Sequence, residues 1–289
     1  ILEAAKGTIS TDQVPSQQQI RNMKQYLRRS LLPSSDALKN ICAIHKNDFL
    51  VCIDYFPVFC VILAAQEAIS ILAQSEVWLI DGTFDMTEDK HVLTTIMAYV
   101  NEVPTPLAWM LSSSRTSEIY LKFFRILQSK SEDRLHPSVI IGDFESAFIS
   151  ASNTAFQDVC YLGDKFHFLR ANIKWLTSHG LGAHEDEVMS DLQVLWNSHN
   201  NLAFTKNLKT FVDSWTVQLP EYANYFDRIW KKKYPPTIWA NFMRGEKIPS
   251  GDQHLETWHR RFHDLVMRHP KEKLDSLIED LHNEWVTYH

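Results

Sequence analysis

Val77-Trp78-Leu79-Ile80-Asp81-Gly82 decides the fold. Four consecutive apolar residues closed by an Asp-Gly turn signal read as a short buried strand that leaves its sheet at Asp81. Downstream comes a polar turn, Asp85 to Lys90, in which Asp85, Glu88 and Asp89 are solvated acids. A strand at His91 to Val100, a turn at Asn101-Glu102-Val103-Pro104 and a strand at Leu107 to Ser112 then complete an antiparallel meander. Ser117 to Lys130 is a helix, with Thr116 or Ser117 as cap and Glu118 suiting its dipole. A second apolar run, Ser138 to Gly142, ends in Asp143 as the first ends in Asp81. Ser146 to Ala155 reads as a helix, Val159 to Leu162 as a strand, and the next helix carries His167.

Three strands, helix, strand, helix, strand, helix is the ribonuclease-H-like order, an α/β fold with a mixed five-stranded sheet flanked by helices. Its first and fourth strands lie side by side, so acids at their ends meet. An all-helical insertion then interrupts the pattern. Val188, Leu192, Leu195 and Trp196 form one apolar stripe, Leu208, Phe211, Val212 and Trp215 a second, and Tyr222, Phe226, Ile229 and Trp230 a third. After Pro235-Pro236 and a break from Gly245 to Gly251, a last helix starts near His254 and carries Glu256. The expected organisation is an N-terminal helical region over 1–74, the first part of the core over 75–182, the helical insertion over 183–250 and the last core helices over 251–289. Within the first region Gln17 to Leu31 is a basic helix candidate, and Asp36 to Gln74 supplies helices or a strand packed on the core.

Apolar residues at 45% and aromatics at 12% supply a real core and exclude a disordered chain. The four cysteines, Cys42, Cys52, Cys60 and Cys160, form no Cys-x-x-Cys pair, so neither a disulfide framework nor a zinc knuckle is written here and a reducing compartment fits. Tyr55 to Ala65, the longest apolar run, contains Pro57 and falls short of the ~20 residues of a membrane span. It reads as a buried helix or strand. The chain opens with Ile1 and without a leader pattern, as an excerpt from a longer protein would. Net charge is −6, yet Arg228 to Lys273 holds eleven Lys and Arg against five Asp and Glu. Such a stretch follows a phosphate backbone or forms a solvated helix surface.

Asp81 and Asp143 stand at equivalent strand ends, the edge where open α/β sheets build their sites. One such Asp commonly just starts a turn. Two that converge repel unless a cation lies between them, and hard oxygen donors suit Mg²⁺ or Mn²⁺. Glu145 reads as a first-turn acid. Asp164 and His167 share a helical face near Cys160, a thin basis for zinc with one Cys and one His. In His254-Leu255-Glu256-Thr257-Trp258-His259-Arg260-Arg261-Phe262-His263, Leu255, Trp258 and Phe262 form an inner stripe, with Glu256 and Arg260 paired beside it. Glu256 is there either half of an exposed ion pair or a third metal carboxylate, with Arg260 or Arg261 on phosphate.

At these residues the chain resembles the Mutator-like element transposases. Asp81-Gly82-Thr83-Phe84 looks like their first motif and Asp143-Phe144-Glu145-Ser146-Ala147 like their second. Asp164-Lys165-Phe166-His167-Phe168 resembles their Cys/Asp-x-x-His signature, and Glu256-Thr257-Trp258-His259-Arg260-Arg261-Phe262 with His269-Pro270 their third-acid block. Tyr225-Phe226-Asp227-Arg228-Ile229-Trp230 is similar to their inserted helical domain. No one motif is specific, but four in order with a helical insertion before the third acid are. Ser250-Gly251-Asp252-Gln253 departs from the usual Thr-Asn-Asn, which affects local DNA contacts and not the metal ligands.

The resemblance implies a nuclear enzyme of DNA transposition. Asp81 would bridge two Mg²⁺ or Mn²⁺ ions ~3.5–4 Å apart, each completed by Asp143 or Glu256. His167 would stand near the scissile phosphate. The implied partners are double-stranded DNA, as terminal repeats and target, and further copies of the chain in a homo-oligomer; no membrane is involved. Asp164, Trp258, Arg260, Arg261, Lys231, Lys232 and Lys233 are the candidate DNA contacts, Trp258 as a base platform or as a core side chain. Two other readings stand beside this one. A domesticated transposase would bind DNA or regulate without cutting. A ribonuclease-H-like exonuclease fits Asp143-Phe144-Glu145, and Asn224 to Asp227 imitates its middle motif, but no His or Tyr stands four residues before a later Asp, as its last motif requires.

Overall fold

The computed structural model describes residues 49–54, 58–84, 87, 90–244, 248–249, 251, 253–266 and 274–288. The helix expected over Gln17 to Leu31, the acids Asp85, Glu88 and Asp89, and His269-Pro270 lie outside them.

The central strand is β3 (Val77–Thr83), buried from Trp78 to Asp81. It pairs antiparallel with β4 (Val92–Val100) and parallel with β6 (Val139–Gly142). β4 turns back into β5 (Val103–Ser112) through Asn101 and Glu102, both at positive φ, the two-residue turn whose twist suits a hairpin. β7 (Cys160–Gly163) extends the parallel side. On the other side lie β1 (Leu50–Asp54) and β2 (Cys60–Leu63), which adds antiparallel to β5. Among the described residues the sheet therefore has seven strands, in the order β1-β2-β5-β4-β3-β6-β7.

The expected five-stranded sheet is thus corrected to seven strands among the described residues, and in Asp36 to Gln74, read as helices or a strand, Leu50–Asp54 and Cys60–Leu63 are strands that pair within the sheet. The physical reason lies in β5: β2 pairs only with Trp109 to Ser112, and Pro104 and Pro106, which lack an N–H, fall beyond that stretch. The segment continues into α1 (Gln66–Gln74).

α2 (Ser117–Lys130) and α3 (Ser146–Ala155) pack together on one face, where Trp78 meets Phe156 edge-on. α9 (Gln253–Val266) and α10 (Leu274–Tyr288), the last two helices, lie against β3 and β5. Between these parts come α4 (Lys165–Ser178), α5 (Glu185–Trp196), α6 (Asn201–Gln218), α7 (Pro220–Phe226) and the short α8 (Pro236–Trp239). α7 runs without a break into a π-helical segment, Asp227–Lys233.

Apolar side chains gather in two clusters. One joins the sheet to α1, α2, α3, α9 and α10. The other is aromatic and joins Phe168 and Leu176 of α4 to the three stripes of the insertion, with Val188, Leu192, Leu195, Trp196, Phe211, Trp215, Tyr222, Phe226 and Trp230 all buried. Among the described residues no helix is long and apolar enough to cross a membrane.

Candidate active site

Side chains on a strand alternate between faces, so residues directly paired across strands share one. Asp81 pairs with Thr95, and Thr95 with Trp109. This row faces α9. His259 of α9 lies over its polar half, with Nδ1 3.0 Å from Asp81 Oδ2 and Nε2 3.0 Å from Thr95 Oγ1. Trp258 lies beside Trp109, ring centroids 6.3 Å apart. Burial pushes the Asp81 carboxyl up, but the His259 hydrogen bond, the nearby charges of His259 and His167, and the Gly82 N–H together hold it below the usual carboxylate range.

Asp143 follows the last residue of β6, in the position next to Asp81 that the parallel pairing of Ile80 with Gly142 dictates. Its side chain is 43% exposed, the most open of the three acids. Oδ1 accepts the Phe144 N–H at 2.5 Å, and its carbonyl accepts the Tyr161 hydroxyl at 2.7 Å. His167, in the first turn of α4, places Nδ1 3.4 Å from Asp143 Oδ1 and Nε2 3.2 Å from Glu256 Oε1. One imidazole thus touches the second and third acids. Glu256 stands one helical turn before His259 on α9, so the same helix carries the third acid and the partner of the first.

Two residues gain roles that the sequence reading did not give them. His259 appears in the third-acid block, but its partners are 164 and 178 residues away, and only the i, i+3 spacing from Glu256 hinted at a shared face. Glu145, read as a first-turn acid, is half-buried; the Tyr120 hydroxyl points to its Oε2 across a long 3.4 Å. Burial raises its carboxyl, Arg115 opposes the shift, and the neighbouring Asp143 and Asp81 charges add to it.

The candidate DNA contacts divide. Asp164 is fully buried: it caps α4 by accepting the His167 N–H at 2.7 Å, and Gly251 lies so close that a Cβ there would be 2.0 Å from its Oδ2. Its carboxylate is a structural cap, and the glycine that departs from the Thr-Asn-Asn pattern is the residue that fits against it. Trp258 is a core side chain, 3% exposed, stacked on Phe262 and donating to Glu284 at 3.1 Å. Arg261 is drawn to the same Glu284 at 2.6 Å. Arg260 is exposed. On the π-helical segment Lys231 and Lys232 hold Asp227 at 2.8 and 2.6 Å, and Lys233 lies over the Tyr234 ring. Arg244, in the basic stretch, turns inward to the carbonyls of Gly163 and Pro249.

Among the described residues no three His, Cys, Asp or Glu side chains stand as a ready-made metal cluster, and Cys160, Asp164 and His167 form none. The donor type at the acids is nevertheless the one a hard divalent cation takes, namely three carboxylates with Asp143 and Glu256 on the two nitrogens of one imidazole. Among curated proteins none matches the chain. A family model for the MULE transposase domain matches residues 77–171, from the strand of Asp81 to just beyond His167. Glu256 and His259 lie outside that stretch and are tied to it by the contacts above. Residues 77–171, about a third of the chain, thus resemble the MULE transposase domain, a match consistent with a MULE transposase and pointing to a transposase-related function.

Proposed function

We propose that this chain is the catalytic core of a DDE transposase, cutting DNA at the ends of a mobile element and joining the freed ends to target DNA. The observation that carries the reading is the gathering of three acids distant in sequence around two imidazoles: His167 touches Asp143 and Glu256, and His259 holds Asp81. The adjacency of β3 and β6 within β5-β4-β3-β6-β7 supports a ribonuclease-H-like core, to which β1 and β2 add an edge.

Asp81, Asp143 and Glu256 would hold two Mg²⁺ or Mn²⁺ ions. When bound, such ions stabilise charge on the attacking and leaving oxygens of an in-line displacement at phosphorus. Water attacks the phosphorus at the element end, the bond from phosphorus to the 3′ oxygen breaks, and a 3′-hydroxyl is freed. That hydroxyl then attacks a target phosphodiester and expels its 3′ oxygen, so the number of phosphodiester bonds is conserved in the second step. Asp143, the open carboxylate, faces the entering strand. His167, lying between Asp143 and Glu256, would stand near the scissile phosphate. Arg260, Lys232 and Lys233 supply phosphate contacts at a surface whose positive charge follows the backbone. Such an enzyme would act in the nucleus, as a homo-oligomer that holds two element ends.

The test is nicking of a duplex bearing the element's terminal repeats, with Mg²⁺ or Mn²⁺. Wild type should nick it and Asp143→Ala should not, with DNA binding retained by both. Binding by wild type without metal-dependent nicking would refute the catalytic reading and leave a domesticated DNA-binding protein.

A further inference from the structure

His259, on the helix of the third acid, hydrogen-bonds both the strand of the first acid and its neighbour. A carboxylate oxygen only accepts, so Nδ1 must carry a proton toward Asp81 Oδ2, and Nε2 meets the Thr95 hydroxyl, each at 3.0 Å. The ring is 6% exposed and sits over a cross-strand pair, Asp81 with Thr95, which would otherwise leave two polar groups facing the underside of α9. Elsewhere α9 faces the sheet with Leu255, Trp258 and Phe262, all buried. Apolar packing of that kind holds a helix down but resists sliding along its axis poorly. A two-ended hydrogen bond to fixed strand atoms sets the register.

We infer that His259 is the positioning residue that couples Glu256 to Asp81: it pins α9 to β3 and β4 and turns the Asp81 carboxylate so that Oδ1 faces the site. Glu256 lies three residues earlier on the same helix, so its place beside His167 depends on that pin. This rests on the metal-binding reading above for its consequence, but not for its geometry.

The experiment uses the full chain with three substitutions and two readouts. The first readout is Mn²⁺ binding, followed by the electron paramagnetic resonance signal of the free ion. The second is hydrogen–deuterium exchange of the peptide covering residues 253–266, without metal. His259→Leu removes both bonds, His259→Asn keeps a donor where Nδ1 stood, and His259→Gln places it where Nε2 stood. Leu should weaken Mn²⁺ binding roughly tenfold to a hundredfold, as loss of a carboxylate's outer hydrogen bond does, and speed exchange in α9. Asn should restore both toward wild type and Gln should restore them less. Wild-type Mn²⁺ affinity in the Leu variant, or equal rescue by Asn and Gln, overturns the inference. Where the Leu variant does not fold, the Asn–Gln comparison decides. A wild type that takes up no Mn²⁺ defeats the metal reading instead, and the exchange data then judge the coupling: unchanged exchange in the variants overturns it, and faster exchange rescued by Asn supports it.

Discussion

Gly163→Ala adds a single methyl group and tests how firmly the loop after Asp143 is clamped. Gly163 ends β7 and pairs with Gly142, the residue before Asp143. A Cβ at this position would lie 2.1, 2.2 and 2.9 Å from three atoms of the Phe144 ring. The ring has little room to retreat. It stands edge-on to Trp230 at 4.8 Å and to Tyr234 at 5.3 Å, and the Tyr234 hydroxyl donates to the Phe144 carbonyl at 2.5 Å. Relief therefore requires a shift of the backbone that carries Asp143. Forcing a methylene into a packed site typically costs about 1–3 kcal/mol, and contacts this short put Gly163→Ala at the upper end. At ~2–4 °C per kcal/mol the midpoint should fall by roughly 5–10 °C. Differential scanning calorimetry of the variant beside Gly182→Ala is the assay. Gly182 has open space around it, so its alanine should be neutral or stabilise by ~0.4–1 kcal/mol through the unfolded chain. A Gly163→Ala protein that melts with wild type would show that Phe144 swings aside freely, and the clamp on Asp143 would be wrong.

Asp164→Ala should cost about 0.5–2 kcal/mol in urea unfolding through loss of the α4 cap, and Asp164→Asn markedly less; an unchanged midpoint for Ala would refute the capping role. Asp227 supplies a pH test. Hydrogen bonds from Lys231 and Lys232 pull its carboxyl down to about 2 from 3.8. A depressed folded value means that the ionised form favours folding above the unfolded value and that this contribution is lost as pH falls through about 2. Asp227→Asn should thus be slightly less stable than wild type at neutral pH, with the gap shrinking as pH falls through about 2 and reduced by salt because the group is exposed. A gap that persists at the acid end would refute the pairing.

How much was legible follows from where each signal lives. Ser117–Lys130 and Ser146–Ala155 emerge as helices with the expected bounds, and β6 ends just before Asp143, because apolar runs and turn residues are local properties. β3, expected to leave the sheet at Asp81, instead runs through it to Thr83, because pairing of Gly82 and Thr83 with Thr94 and Leu93 of β4 carries the strand past the turn signal. Cys60–Leu63 was ambiguous because its identity as a strand comes from β5, some fifty residues away. The capping role of Asp164 is not legible in sequence because a capping aspartate and a contact aspartate are the same residue in the same place, just before a helix; burial and the His167 N–H reveal the cap. Trp258 was readable as core from its stripe with Leu255 and Phe262, and that local pattern proves the stronger guide than the motif around it. His259 had no local signal that could name its partners.

The helical insertion has a part in the site that its distance in sequence hides. Tyr234 reaches the Phe144 carbonyl and, at 3.4 Å, the Ser146 hydroxyl, so the segment leading from Asp143 into α3 is held from the insertion side. Arg244 bonds the carbonyl of Gly163 while its guanidinium lies 5.3 Å from the Trp196 ring centroid. Phe168, next to His167, is buried in the aromatic cluster, stacked on Trp239 at 4.7 Å. The ends of β6 and β7 and the start of α4 are thus fixed by residues 196–244, while Asp81 and Glu256 are fixed by the sheet and α9. The widened turn at Asp227–Lys233 serves that purpose: Trp239 Nε1 donates to the carbonyls of Trp230 and Tyr234 at 2.9 and 3.1 Å, which locks the aromatic wedge under Phe144. His167 is held with Asp143 on the insertion side and touches Glu256, which the sheet and α9 hold. The geometry of the acid site is therefore a property of the seam between the two clusters, and neither cluster alone would set it.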